Sequence, residues 1–278
     1  MIPAEGTSSR PARAGHLAAR DIDGLLFVAE MYGVQLDQLA TVLGVGEPRA
    51  RAIAARWRAQ GYVDSARLGP GRPWVWLTRG GLAACGLPYT ATQPALSRLA
   101  HLRAVTAVRL ALEPVTGYAA AGAFWRSERR LRARTGGRVG LRVHMPDGEV
   151  HWPGPGTAPP GTAPPGTTTP GTTTPWVAWA GECWAIEAEL TAKTVSRTAA
   201  IMRELLARTG EYGCSAADIA VPGRPAWHAR VLYLCSPAAL PTVARARDAL
   251  GSSGARIEIR RLPPGAAMAP AAPRGQEP

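Results

Sequence analysis

Apolar and polar residues alternate through residues 184–190. Trp184, Ile186, Ala188 and Leu190 fall on one side of an extended strand, and Ala185, Glu187 and Glu189 on the other. Two carboxylates spaced by two residues therefore share a face, roughly 6.5–7 Å apart along the strand. Near the N-terminus the period is helical instead. Ile22, Leu25, Leu26 and Ala29 repeat at helical spacing, and so do Leu36, Leu39, Ala40 and Leu43. A third helix is predicted over Glu47–Gln60, with Pro48 at its start and Ala50, Ile53, Ala54 and Trp57 on its inner face. Strands follow at Tyr62–Leu68 and Trp74–Leu77, around the turn Gly69-Pro70-Gly71-Arg72-Pro73. Thr78 then caps a short helix through Leu82.

Beyond Thr90–Ser97 the pattern predicts helices at Leu99–Leu112 and Gly122–Arg134, then strands at Arg142–Met145, Glu149–Trp152 and Trp176–Ala180. Ser196–Arg208 is amphipathic. Arg230–Cys235 contains the wholly apolar run Val231-Leu232-Tyr233-Leu234, which suits a central buried strand. Ser236-Pro237 opens a helix to Leu250, Gly251 stops it, and Arg256–Arg260 alternates as an edge strand. This order predicts a mixed α/β fold, a sheet with helices on both faces.

A chain of 278 residues suggests two domains, and 46% hydrophobic residues suffices for real cores. Residues 1–19 are small, polar and Arg-dotted, so disorder is expected there. The expected divisions are a first domain at 20–89, a linker at 90–98, an α/β domain at 99–262 and a disordered tail at 263–278. Pentads of Pro, Gly, Thr and Ala mark 153–175 as a low-complexity loop. Net charge is +12 and the pI about 10.7, which points to a polyanionic partner, most simply nucleic acid; solubility is the plainer account. Cys85, Cys183, Cys214 and Cys235 are scattered without a C-x-x-C pair, and read as buried thiols of a reducing cytoplasm rather than zinc ligands. Met1–Arg20 lacks an apolar core, and no apolar run approaches about 18 residues, so neither export nor membrane insertion is expected. The oligomeric state stays open, a homodimer included.

The third helix is the most informative basic element. Arg49 and Arg56 flank one side of it, Arg51 and Arg58 the other, with Ala52, Ala55 and Ala59 between. Small residues permit close approach to a groove, and guanidinium groups reach phosphates or guanine edges. Three helices followed by a hairpin with a basic tip resemble a winged helix-turn-helix, carried also by the Leu77–Leu82 run Leu-Thr-Arg-Gly-Gly-Leu. That resemblance implies double-stranded DNA as partner. The third helix would enter the major groove, and Arg67 and Arg72 would touch backbone or minor groove. A solvated arginine face on a protein-binding module is the alternative. Arg126, Arg129, Arg130, Arg132 and Arg134 form the densest basic run, read equally as a phosphate-facing or a simply exposed surface. His101 reads as a packed or capping histidine, because no second His or Cys lies at ligand spacing.

Acids gather in the second half. Asp147 follows a proline at a strand-turn junction, Glu187 and Glu189 lie on the next long strand, and Glu128 lies on the preceding helix. Asp147, Glu187 and Glu128 are the candidate ligands for one hard cation, Mg²⁺ or Mn²⁺. Asp147, Glu187, Glu189 and Lys193 are the candidate catalytic set. Lys193 is the only lysine; every other base among the 32 Lys and Arg is arginine. A compact ammonium with a tunable pKa suits a site that stabilises developing charge, though a wet strand edge is the plain alternative.

Pro146-Asp147 and Glu187 resemble the restriction-endonuclease-like nucleases, whose pattern is an Asp after Pro and Glu-x-Lys on the adjacent strand. The lysine position of that pattern holds Glu189 here, with Lys193 four residues on. More narrowly, the chain resembles the replication-relaxation proteins of actinobacterial plasmids and integrated mobile elements. The winged region carries this resemblance, together with His101-Leu102, Trp125-x-x-Glu128-Arg129, Pro146-Asp147-Gly148 and Ile186-Glu187-Ala188-Glu189-Leu190-Thr191-x-Lys193. It implies a winged helix-turn-helix joined to a nuclease-like α/β domain, acting on DNA in mobile-element replication or transfer. Two alternatives stand beside it. One is an active Mg²⁺-dependent endonuclease, the other a transcriptional regulator whose second domain senses a ligand or dimerises.

Overall fold

The computed structural model describes residues 17–114, 122–134, 144–152, 181–191, 193–209 and 226–267. The expected disorder before residue 17, the strand residues 142–143 and 176–180, the repeats of 153–175, Cys214 and the tail from residue 268 lie outside them. Among the described residues, no helix is long and apolar enough to cross a membrane.

The fold is mixed α/β, with a small antiparallel sheet and a larger mixed one. Three helices lead: α1 (Ala19–Glu30), α2 (Leu36–Leu43) and α3 (Glu47–Ala59). Gly44 ends α2 with φ 64°, a left-handed conformation that costs glycine little. Ala50, Ile53, Ala54 and Trp57 of α3 are buried, as the period predicts, and Trp57 meets Gly24 of α1. The small sheet has the order β1 (Val34–Gln35), β3 (Trp74–Leu77), β2 (Val63–Ala66), all antiparallel. Thr78 caps α4 (Arg79–Ala84), accepting from the Gly81 N–H at 3.1 Å.

Helix α5 (Leu99–Leu112) joins the two halves. It packs on α2 and β1 and also on the large sheet, so one apolar cluster runs from Leu25 and Leu39 through Val105 and Val108 to Trp184 and Ile186. Polar side chains reinforce the join. Arg103 of α5 donates to both Asp37 oxygens at 3.1 and 2.7 Å, and Gln38 donates to the Arg103 carbonyl at 2.9 Å.

The large sheet has the order β4 (Phe124–Ser127), β5 (Gly148–His151), β6 (Cys183–Glu189), β7 (Arg230–Cys235), β8 (Ile257–Arg261). The first three strands are antiparallel and the last three parallel. Helices α7 (Val195–Ala207) and α8 (Leu240–Asp248) make the parallel crossovers and bury Met202, Leu205 and Val243 against Ala185, Val231 and Tyr233. Trp184, Ile186 and Ala188 face the opposite core, beneath α5. The alternation along β6 therefore holds, and all seven of its residues are buried.

One predicted helix is corrected. Gly122–Arg134 is not continuous: Phe124–Ser127 pairs with β5 as an edge strand, and only Glu128–Arg134 is helical (α6). Ser127 marks the switch, since its hydroxyl accepts from the Arg130 N–H at 3.1 Å. The basic run is accordingly no uniform surface. Arg126 and Arg129 are buried, and Arg129 donates to the carbonyls of Ala29 and Thr90 while stacking on Tyr32 and Tyr89. Residues 144–146 form no strand, and α8 begins at Leu240, after a turn capped by Ser236.

Gly148 opens β5 directly under Trp125, whose ring would stand 2.1 Å from an added Cβ. Gly148→Ala is expected to destabilise the chain by about 1–3 kcal/mol, the usual cost of forced overpacking, read as a lowered urea midpoint.

Candidate functional site

The first site-like surface is the outer face of α3. Arg49, Arg51, Arg56 and Arg58 are all exposed, as are Arg67 at the end of β2 and Arg72 in the β2–β3 turn. A groove of about 510 Å³ runs between α3 and the small sheet, lined by Arg51, Ala55, Arg58, Ala59, Ser65 and Val75. The six arginines are not equivalent. Arg56 donates to the buried Asp21 carboxylate at 2.7 Å, whereas Arg51 and Arg72 both pair with Glu47, at 3.4 and 3.1 Å. Among the described residues, Arg49, Arg58 and Arg67 are in no ion pair, which leaves their charge available to a partner.

The second is a cleft of about 1000 Å³ at one end of the large sheet. Asp147, Glu187, Glu189, Lys193 and Glu128 all line it. Asp147 immediately precedes β5, and its N–H donates to the Ile186 carbonyl at 3.1 Å, which sets it beside Glu187 on β6. Its Oδ2 accepts from the Ala188 N–H at 2.8 Å and its Oδ1 meets His101 Nε2 at 2.7 Å. Glu187 Oε1 meets His144 Nε2 at 2.8 Å. Lys193 donates to Glu189. Both oxygens of Glu128 are engaged, by Arg98 at 2.6 Å and Arg132 at 2.7 Å, so a cation bound there would have to displace a guanidinium.

Burial and charge drive the two central carboxyls apart. Burial pushes Asp147 up, but the hydrogen bond and charge of His101 outweigh it and hold this carboxyl below the usual range. Burial also pushes Glu187 up, the neighbouring Asp147 charge adds to it, and the group reaches about 7 despite His144. His144 and His101 are themselves raised: burial lowers each, and the carboxylate partner more than restores it. Near neutral pH the cleft thus holds one firm carboxylate and a carboxyl–imidazole pair that retains a proton. Such a pair of oxygen donors can take a divalent cation in exchange for protons.

Sequence reasoning did not single out His144 or Tyr233. Tyr233 is hidden in the apolar β7 run, yet it lies in register with Glu187, and its buried hydroxyl has no hydrogen-bond partner among the described residues. His144 had one signal, its place two residues before Pro146.

A further buried group, Glu149, Cys183 and His228, has ligand atoms all within 4.8 Å of one another and could hold a metal. Comparison with protein-family models, curated proteins and solved structures finds no match to this chain.

Proposed function

We propose that this chain is a double-stranded DNA-binding protein of plasmid or mobile-element replication or transfer. In this reading residues 20–89 act as a winged helix-turn-helix, and the large sheet is a restriction-endonuclease-like domain. One observation carries it. The inner face of α3 is locked into the core by Ile53 and Trp57, while its outer face holds exposed arginines around Ala52, Ala55 and Ala59. A helix anchored in this way can lie in a major groove with its guanidinium groups on phosphates and base edges. The β2–β3 turn adds Arg67 and Arg72 beside it. The net charge of +12 favours the encounter. An electrophoretic shift of duplex DNA by the full chain at low salt is the test. A shift supports the reading, and no shift at micromolar protein rejects it.

The cleft favours a second reading, a Mg²⁺-dependent DNA nuclease. Asp147 and Glu187 present oxygen donors of the type Mg²⁺ prefers, and Glu128 could join them only by giving up an arginine partner. When bound, the ion would polarise a phosphate oxygen and lower the pKa of a water. Lys193, held by Glu189, stands where an ammonium can offset charge developing on a phosphate. His101 fixes Asp147, and His144 moves the proton that Glu187 must give up. Nicking of supercoiled DNA in the presence of Mg²⁺ or Mn²⁺ is the expected activity, reduced by at least about 100-fold in Asp147→Asn. Nicking that survives this substitution would reject the assignment.

A further inference from the structure

The second buried cluster lies outside everything used above. Glu149 and His151 leave β5 on one face, and Cys183 is the register partner of His151 on β6. His228 lies just ahead of β7 and is fully buried. Glu149, Cys183 and His228 bring one ligand atom each within 4.8 Å of one another, and His151 stands at the edge of the group. Glu149 Oε1 lies 2.9 Å from His228 Nε2, Glu149 Oε2 lies 2.8 Å from His151 Nε2, and Cys183 Sγ lies 3.6 Å from His151 Nε2.

His228 carries the argument. Its Nδ1 is 3.0 Å from the Leu205 carbonyl oxygen, which can only accept, so Nδ1 bears the hydrogen. In the neutral ring Nε2 then turns a lone pair toward a carboxylate oxygen, and two acceptors at 2.9 Å repel. A positive charge must lie between them, either a proton or a metal ion. A metal-ligating histidine has this same arrangement, with its second nitrogen donating to a backbone carbonyl.

We propose that Glu149, Cys183 and His228 form a site for a zinc-type ion, with His151 beside them at its rim. Tetrahedral zinc takes imidazole nitrogen at about 2.0–2.1 Å, carboxylate oxygen at about 2.0–2.2 Å and thiolate at about 2.3 Å, which spaces ligand atoms roughly 3.2–3.7 Å apart. The ligand atoms of Glu149, Cys183 and His228 already lie within 4.8 Å of one another, so they close on an ion by at most about 1 Å. The Glu149–His228 oxygen–nitrogen pair, at 2.9 Å, needs to open by about half an ångström, within reach of side-chain rotation. Magnesium fits poorly, since it demands octahedral oxygen and this set offers a nitrogen and a sulfur beside one carboxylate. Loading would release the Cys183 thiol proton. The ion would tie the ends of β5 and β6 to the segment entering β7. Phe124, stacked on the His151 ring at 4.9 Å, closes the outer side.

Cobalt titration of the chelator-treated full chain tests this independently of DNA binding or cleavage. Co²⁺ is expected to give visible tetrahedral bands and a near-ultraviolet thiolate charge-transfer band. Both should persist in Glu187→Gln and vanish in Cys183→Ser. A wild-type chain without these bands, or a Cys183→Ser chain that keeps the charge-transfer band, overturns the site. If Cys183→Ser does not fold, His151→Ala at the rim decides. A fall in Co²⁺ affinity of about tenfold or more is expected, and an unchanged affinity contradicts the proposal.

Discussion

Alanine at both Arg49 and Arg58 is expected to weaken duplex DNA binding by at least about tenfold and to lower the salt slope by about 2. Both side chains project from the exposed side of α3, and neither is in an ion pair among the described residues. Their charge is therefore available to phosphates, and each lost contact releases about one counterion fewer. The fold should survive, because the buried positions of α3 are Ala50, Ile53, Ala54 and Trp57. Arg56→Ala is the instructive contrast. Arg56 holds the Asp21 carboxylate at 2.7 Å, and its loss strands a buried charge at about 1–3 kcal/mol, so stability falls as well as affinity. Equal affinity of the Arg49→Ala/Arg58→Ala variant and wild type in fluorescence anisotropy would show that the α3 face is not the contact.

Glu187→Gln should act in two opposite directions. It is expected to raise the stability of the metal-free chain and to lower its Mn²⁺ affinity by about tenfold or more. The sign follows from burial, which together with the Asp147 charge lifts the Glu187 carboxyl to about 7. The folded chain thus holds this proton more tightly than the unfolded chain, and stability falls as pH rises from the ordinary carboxylate range through about 7. An amide has no charge to desolvate, so the variant gains most above that pH and little in acid. Each kcal/mol of relief is worth about 2–4 °C in a domain of roughly 150–250 residues. Thermal melts at pH 8 and pH 4, with isothermal titration of Mn²⁺, read both effects. A variant less stable than wild type at pH 8, or one that binds Mn²⁺ equally well, would remove Glu187 from the site.

Short-range pattern carried much of this architecture. The inner face of α3 and the alternation of β6 were legible because each depends on one period and one buried side. The convergence of Asp147 with Glu187 was legible from their places at neighbouring strand ends. Edge pairing was not. Phe124–Ser127 looks helical until β5 recruits it, and β1 is two residues long, too short to show a period. Buried arginines were also invisible. Arg129 reads as surface charge, yet it is held by carbonyls 100 and 39 residues away in sequence. The Glu149–His151–Cys183–His228 cluster draws on three separate stretches of chain, at spacings that match no local motif, so only the sheet register assembles it.

The proposed function stands on contact between the exposed arginines of α3 and the phosphates of duplex DNA. Anisotropy titration of a labelled duplex with the wild-type chain, repeated from about 50 to 200 mM salt, tests it most directly. Log affinity is expected to fall linearly with log salt, and more steeply for wild type than for the Arg49→Ala/Arg58→Ala variant. Affinity that ignores salt, or a slope identical in the two proteins, would contradict it.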